Sequence, residues 1–171
     1  MTTDARQPYK TLILVRHAKS DWGNLNLSDF DRPLNERGLR DAPRMAQHLI
    51  EKGIAIDAFI ASPAKRAKKT AQIFSNTYKR DKDAIIYHTA LYLAPPTVFF
   101  DVISQTDNKY NSIAVFSHNN GLTEFANLLT NTRIDDLPTC GVFAVTVATD
   151  NWANILHADK HFLFCDYPKG I

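Results

Sequence analysis

The chain of 171 residues has little cysteine: only Cys140 and Cys165. They form no CxxC pair and no zinc-ligand spacing, so the expectation is two reduced structural thiols. No apolar run approaches the ~18 residues of a membrane span. Residues 1–10 lack the apolar stretch of a signal peptide, so these residues read as a tail and the protein as soluble and cytoplasmic. Excess charge of one sign is also missing. There are 20 basic and 18 acidic residues, a formal net charge of +2, which calls for no nucleic-acid partner. The HExxH pattern is absent, and no cofactor or metal is expected. No internal repeat or low-complexity linker appears.

What is present is an ordinary globular composition, 44% hydrophobic and 22% charged. That excludes a disordered chain, a collagen-like repeat and a coiled coil. At this length roughly two-thirds of the unfolded surface can be buried, so one domain over residues 11–171 needs no disulfide or metal for its core.

Apolar runs and helical patterns alternate along the chain. Thr11–Val15, Ala58–Ala61 and Ile113–Phe116 read as buried strands. Ile85–Tyr92 is a weaker candidate. Gly141–Ala148, Trp152–Leu156 and Phe162–Phe164 read as late strands, at least one of them antiparallel and near an edge. Asn35–Lys52 reads as a helix with Leu39, Ala42, Ala46, Leu49 and Ile50 inward. Pro43 either kinks it or marks a late start with Asp41 as cap. Ser62-Pro63 reads as an N-cap followed by a first-turn proline, opening a helix that buries Ala67, Ala71, Phe74 and Tyr78. Lys65, Lys68 and Lys69 fall outside that stripe. Pro95–Ser104 and a segment from about Asn120 read as two more helices, the second with Leu122, Phe125, Ala126 and Leu129 inward. The pattern predicts a three-layer α/β/α sandwich with a mostly parallel central sheet.

Three strand ends carry reactive residues: Arg16-His17, Ser62-Pro63 with Arg66 one turn on, and Ser117-His118. In open α/β sheets the ligand crevice lies beyond the carboxyl ends of the strands. If these strands are parallel neighbours, two His and two Arg converge there. Guanidinium groups clamp phosphate in a bidentate way. A neutral imidazole can accept a phosphoryl group, and a second can bond its oxygens. The set points to metal-free phosphoryl transfer.

LILVRHAKSDW (Leu12–Trp22), DFDRPLNERG (Asp29–Gly38), ASPAKRAKKTA (Ala61–Ala71) and VFSHNNGLTEFANLLT (Val115–Thr130) occur in this order. The order resembles the histidine phosphatase superfamily, with its phosphoglycerate mutase-like fold. LPTCGVFAV (Leu137–Val145) is similar to the late strand of the small SixA-type branch. The resemblance covers about Thr11 to Phe164. It implies His17 as nucleophile, Arg16 and Arg66 as phosphoryl ligands and His118 as the group completing the pocket. It further implies Arg32 at the rim, on phosphate or substrate, and Asn119 in ordering the loop after His118. His48, His88, His157 and His161 match no motif and read as surface or packing residues.

The chain departs from the family pattern at Ala18, Ser117 and Asn120, and at Leu93, where related chains often carry a glutamate. Leu93 cannot protonate a leaving group, which leaves Asp21 and Asp31 of the first loop as candidates. A site without an acid favours leaving groups that depart unprotonated. The expected function is therefore a metal-independent phosphohistidine phosphatase acting through phospho-His17, on a phosphorylated substrate such as a phosphohistidine-bearing protein. The alternatives are a small-molecule phosphomonoesterase, a mutase and an inactive phosphate-binding module.

Overall fold

The computed structural model describes residues 7–171. Six strands form one sheet: β1 (Lys10–Arg16), β2 (Ala58–Ala61), β3 (Ile86–Tyr87), β4 (Ser112–Ser117), β5 (Val142–Val147) and β6 (Lys160–Asp166). Their spatial order is β3-β2-β4-β1-β5-β6. The first four are parallel, and β5 runs antiparallel to both β1 and β6.

The central strands are apolar on both faces because both faces are covered. Leu12, Leu14, Ile60, Ile113 and Val115 pack with Phe99 of α3 (Pro96–Ser104) and Phe125 of α4 (Gly121–Leu129). Ile13, Val15, Phe59, Ala114 and Phe116 pack on the opposite face. There they meet Met45 and Leu49 of α1 (Glu36–Glu51) and Phe74 of α2 (Lys65–Thr77). The result is the expected three-layer sandwich. Among the described residues no helix is long and apolar enough to cross a membrane. Cys140 and Cys165 are free. Of the expected tail, residues 1–6 lie outside the described residues, and Lys10 already belongs to β1.

Helix α1 begins at the earlier of the two predicted starts. The Asn35 side chain accepts from Gly38 N at 2.9 Å and caps it, and Pro43 lies inside one continuous helix with Asp41 buried rather than capping. The buried stripe is Gly38, Asp41, Ala42, Met45, Ala46 and Leu49, which corrects the inward placement of Leu39. Gly38 lies against the backbone of Lys19, where a Cβ would come within 2.2 Å of its carbonyl oxygen. That contact turns Leu39 outward, to 48% exposure.

Three other segments differ from expectation. Trp152–Leu156 is not a strand but contains a 3-10 turn over Trp152–Asn154. Its buried indole donates to the Tyr110 carbonyl at 2.8 Å, which anchors the turn off the sheet. Ile85–Tyr92 contributes only the two residues of β3, followed by a 3-10 turn over Thr89–Leu91. Ser62 is not the cap of α2. Ala64 holds that position without a side-chain bond, because Ser62 still extends the sheet through its N–H to the Phe116 carbonyl at 3.0 Å.

Candidate active site

The sheet order places β2, β4 and β1 side by side, and their registers end level: Arg16 lies opposite Ser117, and Ala61 opposite Phe116. His17 N donates to the Ser117 carbonyl at 3.1 Å, tying the first strand end to the second. Parallel pairing therefore brings together residues 100 positions apart in the chain without any specific long-range motif. The cavity beyond these ends has a volume of about 280 Å³, and Arg16, His17, Arg32, Arg66, His118 and Asn119 all line it. A larger groove of about 440 Å³, beside Leu39 and Lys65, holds no imidazole, thiol or carboxylate. The smaller cavity is therefore the candidate active site.

His17 is 7% exposed. Its Nδ1 lies 2.8 Å from the Ala18 carbonyl oxygen, which can only accept, so the proton sits on Nδ1. Nε2 keeps its lone pair and accepts from Arg66 Nε at 3.3 Å. Burial, together with the charges of Arg66, Arg16 and Arg32, pushes the imidazole pKa down to about 3 against the pull of the Ala18 bond. The group is neutral at physiological pH.

His118 lies beside it, with ring centroids 5.3 Å apart. Burial first, then the neighbouring His17 and Arg66, lowers its pKa to about 3 as well. Its Nε2 is 2.8 Å from the Ser62 hydroxyl. With Ser62 donating to Nε2, the His118 proton lies on Nδ1, which is buried and has no partner.

Arg66, on the first turn of α2, is 3% exposed. Its Nη1 donates to the Asp29 carbonyl at 2.6 Å and its Nη2 to Asp29 Oδ2 at 2.9 Å. Arg32 Nη2 donates to Asp29 Oδ1 at 2.9 Å, and its guanidinium stacks 3.4 Å from the Trp22 ring centre. Arg16 Nη1 donates to the Leu137 carbonyl at 2.8 Å. Buried polar atoms nearly always find partners. Among the described residues four side-chain atoms do not: Arg16 Nε, Arg32 Nε, Arg32 Nη1 and His118 Nδ1. All belong to residues lining this cavity. Three guanidinium groups and an imidazole N–H around a neutral nitrogen nucleophile can hold a small tetrahedral oxyanion and attack its central atom.

Asn119 donates to the Leu137 carbonyl at 3.1 Å and to Asp136 Oδ1, and accepts from Thr123. It is committed to loop contacts at the cavity wall. The first-loop acid candidates fail on position. Asp21 accepts from Gly23 N and Asp31 from the Ser28 hydroxyl, and neither lines the cavity. Leu93 does line it, 55% exposed. Sequence reasoning missed Asp29, Tyr92, Trp22 and the Ser62–His118 contact. Asp29 and Trp22 stand inside quoted motifs, but loop residues carry no periodicity to show where they point.

Residues 12–89 match the family model described as histidine phosphatase superfamily, branch 1. An uncharacterised chloroplast protein of Arabidopsis thaliana is 28% identical over 151 residues, spanning 84% of this chain and 69% of that one. A 2,3-bisphosphoglycerate-dependent phosphoglycerate mutase of Thermoplasma acidophilum is 41% identical over 75 residues, 42% of this chain and only 36% of the mutase. Among solved structures, the protein histidine phosphatase SixA complexed with tungstate superposes with a TM-score of 0.78 at 18% identity, covering 93% of this chain and 97% of that one. At that identity the likeness is one of fold.

Proposed function

We propose that the chain is a member of the histidine phosphatase superfamily, a phosphatase that works through phospho-His17 and prefers phosphohistidine carried by another protein. The observation that carries the reading is the set of four unpartnered buried atoms on Arg16, Arg32 and His118 around the neutral Nε2 of His17. A bound phosphoryl group supplies acceptors for each of these N–H groups.

In the first step Nε2 attacks phosphorus in line and the bond to the leaving group breaks. Arg16, Arg32 and Arg66 hold the phosphoryl oxygens, and the His118 Nδ1–H bonds one of them as charge shifts. The His17 Nδ1–H stays on the Ala18 carbonyl, so the ring becomes an imidazolium bearing the phosphoryl on Nε2. Water then displaces that imidazole. The guanidinium groups supply the positive charge that a metal ion supplies in other phosphoryl-transfer sites. Among the described residues no cluster of three or more His, Cys, Asp or Glu side chains is arranged to hold a metal.

The substrate preference rests on the leaving group. Asp29 is the one carboxylate lining the cavity. Burial opposes its charge, but the bonds from Tyr92 and Arg66 and the charge of Arg32 hold its pKa down to about 2. It has no proton to donate at neutral pH. An alkoxide leaves poorly without one, at a cost of roughly 10²–10⁴-fold, whereas the imidazole of phosphohistidine departs readily.

The test is kcat/KM in EDTA on a phosphohistidyl peptide, p-nitrophenyl phosphate and a panel of sugar phosphates, with wild type and His17→Ala. Preference for the P–N substrate, lost in the variant, is expected. Preference for one alkyl phosphate would replace this reading with a small-molecule phosphatase. Conversion of a phosphoglycerate without phosphate release would replace it with a mutase.

A further inference from the structure

Asp29 has no assigned part in the chemistry so far, yet it is tied to the nucleophile. Arg66 bridges the two, with Nε on His17 Nε2 at 3.3 Å and Nη2 on Asp29 Oδ2 at 2.9 Å. The carboxylate therefore stands across one guanidinium from the nitrogen that takes the phosphoryl group. It is held there from three sides: by Arg66, by Arg32 on Oδ1, and by the Tyr92 hydroxyl, which donates to Oδ2 at 2.5 Å. Tyr92 is itself locked edge-on against His118 and Phe30, with ring centroids 5.4 and 5.1 Å away.

Two carboxylate oxygens offer about four acceptor positions, and these three donors leave one. The side chain is 45% exposed, so that last position is open to water. A carboxylate placed only to neutralise two arginines does not need an open face on the reaction cavity.

We propose that Asp29 is the general base that activates water in the second half-reaction, the hydrolysis of phospho-His17. The inference rests on the phospho-His17 reading above. In the free protein the ion pairs hold Asp29 too acidic to be an effective base. Phosphorylation changes its surroundings. A phosphoryl dianion on Nε2 brings like charge near the carboxylate and draws the free N–H groups of Arg66 and Arg32 to itself. Both effects raise a carboxylate pKa. The base thus gains strength when the intermediate forms.

The step balances as follows. The water oxygen bonds to phosphorus and the P–Nε2 bond breaks. The bonding pair returns to Nε2, and the imidazolium becomes the neutral Nδ1–H ring. One water proton moves to Asp29, leaving hydrogen phosphate in the cavity. Asp29 then returns that proton to solvent through its open face.

The test is the decay of a preformed phosphoenzyme. Wild type, Asp29→Asn and Asp29→Gly are phosphorylated with potassium phosphoramidate, freed of excess reagent, and followed by intact mass. The Asn variant is expected to take up phosphate but release it about 10²-fold more slowly. Asp29→Gly should be equally slow, and added formate should restore its decay with a dependence on formate concentration and pH. Wild-type decay in the Asn variant would overturn the base role. So would folded variants that fail to take up phosphate, since Asp29 would then act only by positioning Arg66. A wild type that never carries phosphate on His17 would overturn the phospho-His17 reading itself.

Discussion

Arg66 directs its Nε–H at His17 Nε2 across 3.3 Å, joining residues 49 positions apart. The two ring nitrogens are thereby distinguished: Nδ1 is bound to the Ala18 carbonyl, and Nε2 faces the guanidinium. Arg66 is itself buried and held in place by Asp29 as well as by His17.

Arg66→Ala should lower kcat/KM for p-nitrophenyl phosphate by about 10³-fold or more, the range of a single arginine on a transferring phosphoryl group. Arg66→Lys should recover little, since one ammonium cannot reach His17 and both Asp29 acceptors. Steady-state kinetics with circular dichroism to confirm folding decides it. Activity within tenfold of wild type in the Ala variant would remove Arg66 from the reaction.

Stability should fall as the medium is acidified from pH 6.5. Both His17 and His118 have folded-state pKa values near 3, below the ordinary imidazole value of 6.5. Between those values the unfolded chain binds protons that the folded one refuses. Their contribution is complete above pH 6.5 and is lost progressively below it, with a slope of at most roughly 3 kcal/mol per pH unit for two groups. Urea midpoints from pH 8 to pH 5 measure it. His118→Gln should halve the slope, and a flat profile would contradict the neutral pair.

A tetrahedral oxyanion should stabilise the fold. At a concentration ~100-fold above its dissociation constant, tungstate should add about 3 kcal/mol, several degrees in melting temperature for a chain of this size. Arg32→Ala removes two of the unpartnered atoms and should reduce the shift most clearly. An equal shift in wild type and variant would place the anion elsewhere.

Ser62 is fully buried, and its hydroxyl sits on His118 Nε2. Ser62→Ala should cost about 1–3 kcal/mol of stability by stranding that nitrogen. It should also lower kcat while leaving KM nearly unchanged, because the His118 proton is no longer confined to Nδ1. Thermal melts and initial rates test both. Wild-type kcat would show that Ser62 only packs.

The sheet was legible because its inner strands are short apolar runs that end abruptly. The same endings exposed Arg16, His17 and His118, whose meeting needs only parallel neighbours. Arg66 followed from lying one turn beyond the second strand. Elsewhere local signals misled. Ser62-Pro63 has the composition of a helix start, yet its hydroxyl is taken by a histidine from another strand. Leu39 has helical spacing, but the approach of Gly38 to Lys19 turns it outward. Trp152 sits in an apolar segment whose indole needs a buried carbonyl, and that contact makes a turn rather than a strand. Asp29 and Tyr92 meet only in three dimensions, 63 positions apart, on segments whose side-chain directions no periodicity encodes.

The central claim is that His17 carries the phosphoryl group. Wild type and His17→Ala would be mixed with potassium phosphoramidate in EDTA, quenched at alkaline pH within milliseconds, digested and sequenced by mass spectrometry. An acid-labile, alkali-stable phosphate is expected on residue 17 of the wild type, forming and decaying at rates consistent with turnover, and none in the variant. Turnover with no phosphate on His17, or phosphate on another residue of both proteins, would contradict it.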